Sequence, residues 1–356
     1  MHDVRAALHE LVSNGLEVGL QVAVYVRGEL VIDAWAGVAD PTSGRAVDGE
    51  TLFNVSSCGK GVAATCLHML ADRGQIDYDT PVATYWPEFA ARGKTRVTVR
   101  HVLAHTSGIP HSPQGYGHEL LVDWTRMCAA IADLEPIFEP GTKTAYQAVN
   151  YGFIVGELVR RVDGRSIGDF VRQEIGQPLG VDSMFFGVPA SELSRVATLT
   201  GAAPPRARSD APPPTVTPET FNRDDVRLAA IPSSGGIMTA RALARHYALL
   251  AQGGTLDGVR LLSPECIRLA TELQTDAVDE LYKQPIKRSL GYRLGDDTGP
   301  GAGPSAFGHV GNGMFGYANP ERHLAIAFFR NYTGAAPDSG KLVASAIEAE
   351  LRQRRT

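Results

Sequence analysis

Lysine is scarce in this sequence: only six of its 34 basic residues are lysines, and the other 28 are arginines. Because acidic residues number 39, the net charge is −5, and no basic excess predicts binding to nucleic acid or to an anionic membrane. We attribute the excess of arginine to the base composition of the genome. A lysine at a chemically meaningful position stands out in such a chain.

Cysteine is scarce as well. Cys58, Cys66, Cys128 and Cys266 are too few for a disulfide scaffold in 356 residues, and no two of them form a Cys-x-x-Cys metal or redox pair. No run of about 18 apolar residues predicts a membrane span, and the first 19 residues lack the pattern of a signal peptide. We therefore expect a cytoplasmic protein with neither a membrane nor a nucleic-acid partner.

Two common hydrolase signatures give no candidate nucleophile or metal site. The zinc-binding pattern His-Glu-x-x-His does not occur. Gly-x-Ser-x-Gly, the pattern of the nucleophile elbow of α/β-hydrolases, occurs once, at 164–168, but it lies between two predicted helices, whereas the elbow joins a strand to a helix. We therefore expect a hydrolase with this sequence to use another arrangement of nucleophile and base.

Alternating apolar residues near both ends of the chain predict β-strands. These runs are 21–27, 30–37, 306–310, 316–319 and 324–331. A tight turn at 27–29 joins the first two runs into a hairpin, and helical periodicity flanks the strands at the amino terminus and at 339–352. The pattern predicts one antiparallel sheet that is assembled from both ends of the chain and flanked by helices.

The middle of the chain is predicted to be mostly helical. Apolar residues recur at helical spacing in 57–73, 149–162, 167–175 and 240–251, and Gly74 and Gly164 suit the ends of two of these helices. Six prolines in 202–218 predict an extended surface loop. The expected fold class is α+β, with a sheet lobe from residues 1–56 and 225–356 and a mostly helical lobe from residues 57–224.

The sharpest chemical feature is the pair Ser57 and Lys60, a Ser-x-x-Lys at the expected start of a helix. Residues i and i+3 share a helix face, so the amine can reach the hydroxyl. The positive end of the helix dipole and partial burial both favour a neutral amine, which can act as a base. By itself the motif fits equally a serine N-cap followed by an exposed lysine.

Two further segments add to this motif. Residues 140–148 place Tyr146 on a loop that feeds into a helix, and residues 307–313 place His309 and a glycine-rich turn on an expected edge strand. Together with 98–108 and 233–239, these segments make the chain resemble the serine hydrolases related to class C β-lactamases, which include carboxylesterases, D-aminopeptidases and DD-peptidases. The resemblance extends from about residue 18 to 331, and it implies a serine β-lactamase or DD-peptidase-like fold.

The resemblance implies a role for each matching residue. Ser57 would be the acyl-accepting nucleophile, Lys60 its base, and Tyr146 the third partner, although the motifs leave open whether Lys60 or Tyr146 activates the serine. The backbone N–H groups of Ser57 and Asn312 would form the oxyanion hole. His309 and Gly311 would contact the substrate, and no cofactor is implied.

The chain departs from the pattern of lactamases and peptidases at two positions. The usual Tyr-x-Asn ends here in Ala148, which removes an amide that relatives direct at a substrate amide. His309 replaces the lysine of Lys-Thr-Gly, so a permanent cation that would hold a free carboxylate is absent there. Both changes predict small or medium neutral esters as substrates, and hence a carboxylesterase.

Several alternatives stay open at this stage. An acyltransferase of secondary metabolism would pass the acyl group to another alcohol or amine, and an amide hydrolase of the β-lactamase or D-aminopeptidase type would use the same residues. A non-catalytic binding relative is the third alternative, and His309 is a second possible base. The acyl and alcohol parts of the substrate and the oligomeric state are not predicted.

Overall fold

The computed structural model describes residues 3–201, 217–334 and 338–354. The proline-rich loop expected at 202–218 lies outside the described residues except for its last two positions. Within the described residues the strands are β1 Gly19–Val26, β2 Glu29–Asp40, β3 Arg45–Ala46, β4 Phe53–Asn54, β5 Met184–Phe186, β6 Gly236–Met238, β7 Thr255–Leu256, β8 Val259–Arg260, β9 Arg293–Leu294, β10 Phe307–Gly311, β11 Met314–Asn319 and β12 Leu324–Arg330.

The helices fall mostly between these strands. They are α1 Val4–Ser13, α2 Gly59–Asp72, α3 Val82–Tyr85, α4 Val99–Leu103, α5 His118–Leu121, α6 Trp124–Ala132, α7 Asn150–Asp163, α8 Ile167–Phe170, α9 Gln177–Leu179, α10 Pro218–Phe221, α11 Asp224–Leu228, α12 Ala240–Ala251, α13 Pro264–Thr271 and α14 Ser339–Gln353. A π-helical segment, Val171–Gly176, joins α8 to α9 without a break. A bilayer span needs about 20 residues, and no helix in the described part of the chain is long and apolar enough to be one.

The main sheet combines the two ends of the chain. Among the described residues its strand order is β3-β2-β1-β12-β11-β10-β9, and the pairs are antiparallel. Arg27 and Gly28 both have positive φ, 53° and 85°, as a two-residue hairpin turn between β1 and β2 requires. The predicted antiparallel α+β fold is therefore confirmed.

Each face of this sheet packs against helices. Because side chains alternate along a strand, Val22 and Val24 of β1 lie in an apolar cluster with α1 and α14, whereas Ala23 and Tyr25 face the opposite cluster, which contains α12. The central strands are thus buried on both faces. Because both faces of the sheet are packed, β10 is held in a fixed position next to α2.

The helical residues in the middle of the chain pack around α2 and α7. These two helices contact each other, and α2 also contacts β10 and α13. A small sheet with the order β4-β6-β5 leads the chain into α2. The division into lobes at residues 56/57 and 224/225 stays a prediction.

Two expectations about local structure differ from what is observed. Helix α2 begins at Gly59 rather than at residue 57, because residues 57 and 58 form a turn with i to i+3 hydrogen bonds before the α-helical pattern starts. β10 is not an edge strand, since β9 pairs with its outer side. A strand of two residues is too short to show a period in the sequence.

Glu157 connects α7 to α6 through a buried carboxylate. Its carboxylate is 2% exposed and accepts hydrogen bonds from Trp124 Nε1 (2.8 Å), Arg160 Nη2 (2.6 Å) and Arg161 Nε (2.7 Å). Although burial opposes ionisation, these donors lower the pKa of Glu157 to about 2. The side chain is therefore ionised throughout the physiological range.

We predict that Glu157→Gln lowers the free energy of unfolding by about 2–4 kcal/mol, because it removes the anion of Arg160 and leaves Arg161 with Glu88 alone. The difference from wild type should be full above pH 4.5, the ordinary carboxyl value, and shrink as the pH falls towards 2. Urea unfolding measures both effects. Glu265→Gln, which breaks the exposed pair with Arg268, is the control and should change stability far less, because solvent screens this pair. Equal changes in the two variants would contradict the prediction.

Candidate active site

Ser57 follows a strained turn. Ser56 has a left-handed backbone, with φ of 48°, and its N–H donates to Asn54 Oδ1 at 3.0 Å. The Cys58 N–H then donates to Val55 O at 3.0 Å. This geometry leaves Ser57 partly exposed just before α2, while Cys58 is buried as the expected core residue.

Lys60 is completely buried, and its amine has three partners. Lys60 Nζ lies 3.1 Å from Ser57 Oγ, 3.0 Å from Ala148 O and 2.8 Å from Ser233 O. The alternative of a serine N-cap with an exposed lysine is wrong: the N-cap position is Cys58, whose side chain makes no capping bond. The amine instead joins α2 to the loops before α7 and before β6.

The surroundings of Lys60 favour its neutral form. Burial lowers the pKa of the amine well below the usual value of 10.5, and the positive charge of Arg293 lowers it further. None of the described residues supplies a carboxylate that pairs with Lys60. A neutral amine is therefore the form that the structure stabilises.

Tyr146 also contacts the serine. Its hydroxyl donates to Ser57 Oγ at 2.9 Å, and the side chain is 5% exposed. Burial raises the pKa of Tyr146 to about 12, although the hydrogen bond with Ser57 and the charges of Arg293 and Arg288 act in the other direction. Tyr146 therefore keeps its proton near neutral pH.

Aromatic rings fix the orientation of Tyr146. The His105 ring lies 4.9 Å from the Tyr146 ring and stacks at 4.9 Å on Tyr151. His105 Nδ1 accepts the N–H of Gln147 at 3.1 Å, so this nitrogen is already occupied. His105 thus holds the loop that carries Tyr146.

His309 lies on β10 near the same tyrosine. Its ring is 6.1 Å from that of Tyr146, and its Nδ1 lies 3.0 Å from Val310 O. Burial lowers the pKa of His309 well below 6.5, and the charge of Arg293 contributes in the same direction. The imidazole is therefore neutral at pH 7 and supplies no cation to the site.

Gly311 and Asn312 close the site on the side of the sheet. Asn312 and Gly313 have positive φ, 51° and 78°, and form the two-residue turn between β10 and β11. A Cβ on Gly311 would lie 2.6 Å from the backbone nitrogen of Ser57. Only glycine allows β10 to approach the serine this closely.

A cavity of about 510 Å³ lies beside Ser57. Ser57, Tyr146, Gly311 and Asn312 line it, with Lys60 buried beneath. Three contributors were not assigned a role from the sequence: Ser233, whose carbonyl binds Lys60, and Tyr282 and Arg293, which line the cavity wall. Ser233 lies in the segment 233–239, which contributes to the resemblance. Its acceptor is a backbone carbonyl, which every residue has, so no residue type in the sequence indicates this role.

Comparison with known proteins identifies a family for this chain. Residues 4–350 match the β-lactamase family. "Esterase/beta-lactamase LipL" of Mycobacterium tuberculosis is 34% identical over 335 residues, which cover 88% of this chain and 77% of that protein.

Two solved structures share the whole fold. A family VIII carboxylesterase is 36% identical with a TM-score of 0.87, and a penicillin-binding protein homologue from Caulobacter crescentus is 33% identical with a TM-score of 0.86. Each comparison covers 97% of this chain and 96% of the other.

We predict that Gly311→Ala lowers kcat/KM for an ester substrate by about 100-fold or more, because the new methyl group must displace the backbone at Ser57. Gly117→Ala is the control, since its Cβ would meet no atom closer than 3.9 Å. Ester kinetics and thermal unfolding of both variants make the comparison. Full activity in a folded Gly311→Ala protein would contradict the close approach.

Proposed function

The chain belongs to the β-lactamase family, and from that premise we propose that it hydrolyses carboxylic esters through an acyl-enzyme on Ser57. The observation that carries the proposal is the position of Ser57 Oγ, 3.1 Å from a buried amine and 2.9 Å from a buried phenol. A nucleophile with a base and a proton donor in contact is the arrangement that acyl transfer needs.

Lys60 is the base in this proposal. A neutral amine has two hydrogens and one lone pair; Ala148 O and Ser233 O accept the hydrogens, so the lone pair is free to accept the Ser57 proton. Ser57 Oγ attacks the ester carbonyl as its proton moves to Lys60 Nζ. Tyr146 is the less suitable base, because its phenol holds its proton up to about pH 12.

The later steps use the same groups in reverse. The oxyanion of the tetrahedral intermediate accepts hydrogen bonds from the N–H groups of Ser57 and Asn312. When the intermediate collapses, the carbon–oxygen bond of the ester breaks and the alkoxide takes a proton that reaches it from Lys60 through Tyr146. Water then attacks the acyl-enzyme, gives its proton to Lys60, and the acid leaves as Ser57 is restored.

Ala148 supports esters over amides as substrates. The position lies beside the site, where Ala148 O binds Lys60, and its methyl group offers no amide to a substrate amide. An ester also demands less of the acid that protonates the leaving group. The 36% identical structure is a family VIII carboxylesterase, which is consistent with this choice.

Residual β-lactam hydrolysis is a second candidate activity. The relative that is 34% identical carries the name esterase/beta-lactamase, so both chemistries are named for a close homologue. Measuring nitrocefin turnover beside ester turnover separates the two. Hydrolysis of nitrocefin with no activity on short esters would contradict the ester proposal.

We predict that Ser57→Ala lowers kcat for p-nitrophenyl butyrate by about 10⁴-fold or more, and that Lys60→Met has an effect of similar size. Mass spectrometry should find a fluorophosphonate adduct on Ser57 in the wild type. Ser56→Ala controls for the neighbouring hydroxyl and should still be labelled. A labelled Ser57→Ala protein would assign the nucleophile to another residue, and the absence of any labelling would indicate a non-catalytic relative.

We predict that kcat/KM for p-nitrophenyl butyrate rises with pH through an apparent pKa well below 10.5, because Lys60 must lose its proton before it can accept the one from Ser57. Activity is therefore lost on acidification through this pKa and stays constant above it until Tyr146 ionises. The matched variant His309→Gln should keep the same acidic limb, since His309 is already neutral. A limb near pH 10, or one that His309→Gln abolishes, would contradict the role of Lys60.

A further inference from the structure

Arg293 is a cation of the active site to which no described residue supplies a carboxylate. It opens β9, pairs with Gly308 of β10 in the ladder, and lines the cavity together with Ser57 and Tyr146. Its Nε is buried without a hydrogen-bond acceptor. Across residues 3–201, 217–334 and 338–354, no carboxylate forms an ion pair with this guanidinium.

Two aromatic rings hold this guanidinium in place. Arg293 Cζ lies 5.9 Å from the ring centre of Tyr146 and 5.9 Å from that of Tyr282. Such contacts restrict the side chain while they leave its polar edge available to a ligand. Arg293 is therefore oriented before a substrate arrives, which lowers the entropy cost of binding.

Two neighbouring arginines differ from Arg293 in having an anion. Arg288 is buried and pairs with Asp279 at 2.6 Å, and Arg330 pairs with Glu17 at 3.1 Å. The chain therefore neutralises those two charges internally. No described residue supplies a corresponding carboxylate to Arg293.

The rest of the cavity provides no substitute for that anion. Among the described lining residues the acidic side chain is Asp338, and it pairs with Lys341 at 3.1 Å. Arg293 is half-buried, and its Nε is buried without an acceptor, so a ligand that brings an anion forms an ion pair and also satisfies this donor. The planar guanidinium suits a carboxylate, which it can bind through two parallel hydrogen bonds.

We propose that Arg293 binds a carboxylate carried by the substrate, so that the natural substrate is an anionic ester. This inference rests on the proposed ester hydrolysis and changes the expected substrate from a neutral ester to a charged one. The neutral ester was expected because His309 has replaced a lysine on β10. Arg293 supplies a cation to the same cavity from the neighbouring strand.

The test compares esters that differ only in one charge. On the alcohol side the pair is 3-butyryloxybenzoate and 3-butyryloxybenzamide, and on the acyl side it is phenyl hydrogen adipate and phenyl methyl adipate. The ratio of kcat/KM within each pair is the readout. A general loss of activity cancels in this ratio, which matters because Arg293 also acts on the pKa of Lys60.

We expect the wild type to prefer the carboxylate ester in at least one pair by roughly 10- to 100-fold. Arg293→Gln should bring that ratio close to one, and Arg293→Lys should keep part of it because it keeps the charge but loses the planar fork. Lys287→Gln is the matched control: it removes an exposed cation next to Arg288, outside the cavity, and should leave the ratio unchanged. The pair in which the wild type prefers the carboxylate ester shows whether the natural substrate carries its carboxylate on the alcohol side or on the acyl side.

A wild-type ratio near one in both pairs would overturn the inference, and so would a preference that Arg293→Gln leaves intact. Failure of ester hydrolysis itself is recognised separately, as inactivity of the wild type on all four esters. In that case the anion site is tested separately, by measuring whether adipate raises the melting temperature of the protein. A shift in the wild type that Arg293→Gln abolishes supports the anion site, and no shift overturns it.

Discussion

One buried amine joins the serine to two distant parts of the chain. Lys60 Nζ contacts Ser57 Oγ, Ala148 O and Ser233 O, and these partners come from the turn before α2, from the loop before α7 and from the loop before β6. A charged amine in this position would be desolvated without a counterion among the described residues, which is costly. The fold therefore favours the neutral form, and two carbonyls direct its lone pair towards the serine.

The positive charge of Arg293 lies near this amine, and no described residue supplies a carboxylate that pairs with it. Arg293 lowers the pKa values of Lys60 and His309, and burial acts in the same direction on both. Two other arginines nearby have carboxylate partners, whereas Arg293 does not. The same unpaired charge thus has two effects: it keeps the base neutral, and it makes the cavity attractive to an anion.

The regular parts of the fold could be predicted from the sequence because they have a period or a turn with specific residues. The hairpin at Arg27 and Gly28 and helix α12 lie where alternation, helical spacing and turn chemistry place them. The motif residues Ser57, Lys60 and Tyr146 are brought together as the resemblance implies. β9 is too short for any period, and its absence from the prediction led to the wrong assignment of β10 as an edge strand.

Other features depend on tertiary structure and have no signal in the sequence. The left-handed backbone of Ser56 occurs in a residue that does not favour it, and the acceptor role of Ser233 belongs to its carbonyl, which every residue has. Arg293 is one arginine among 28, and only the packing shows that it lacks an anion. The sequence therefore predicts the reacting groups better than it predicts the substrate.

The neutral state of Lys60 can be measured directly because the chain has few lysines. With ¹³C-labelled lysine, six Cε signals can be followed by NMR as the pH is raised, and the Lys60→Met variant identifies the signal of Lys60. We expect this signal to titrate well below 10.5, while the signals of exposed lysines titrate near their usual value. A Lys60 signal that titrates at or above 10.5 would contradict this expectation.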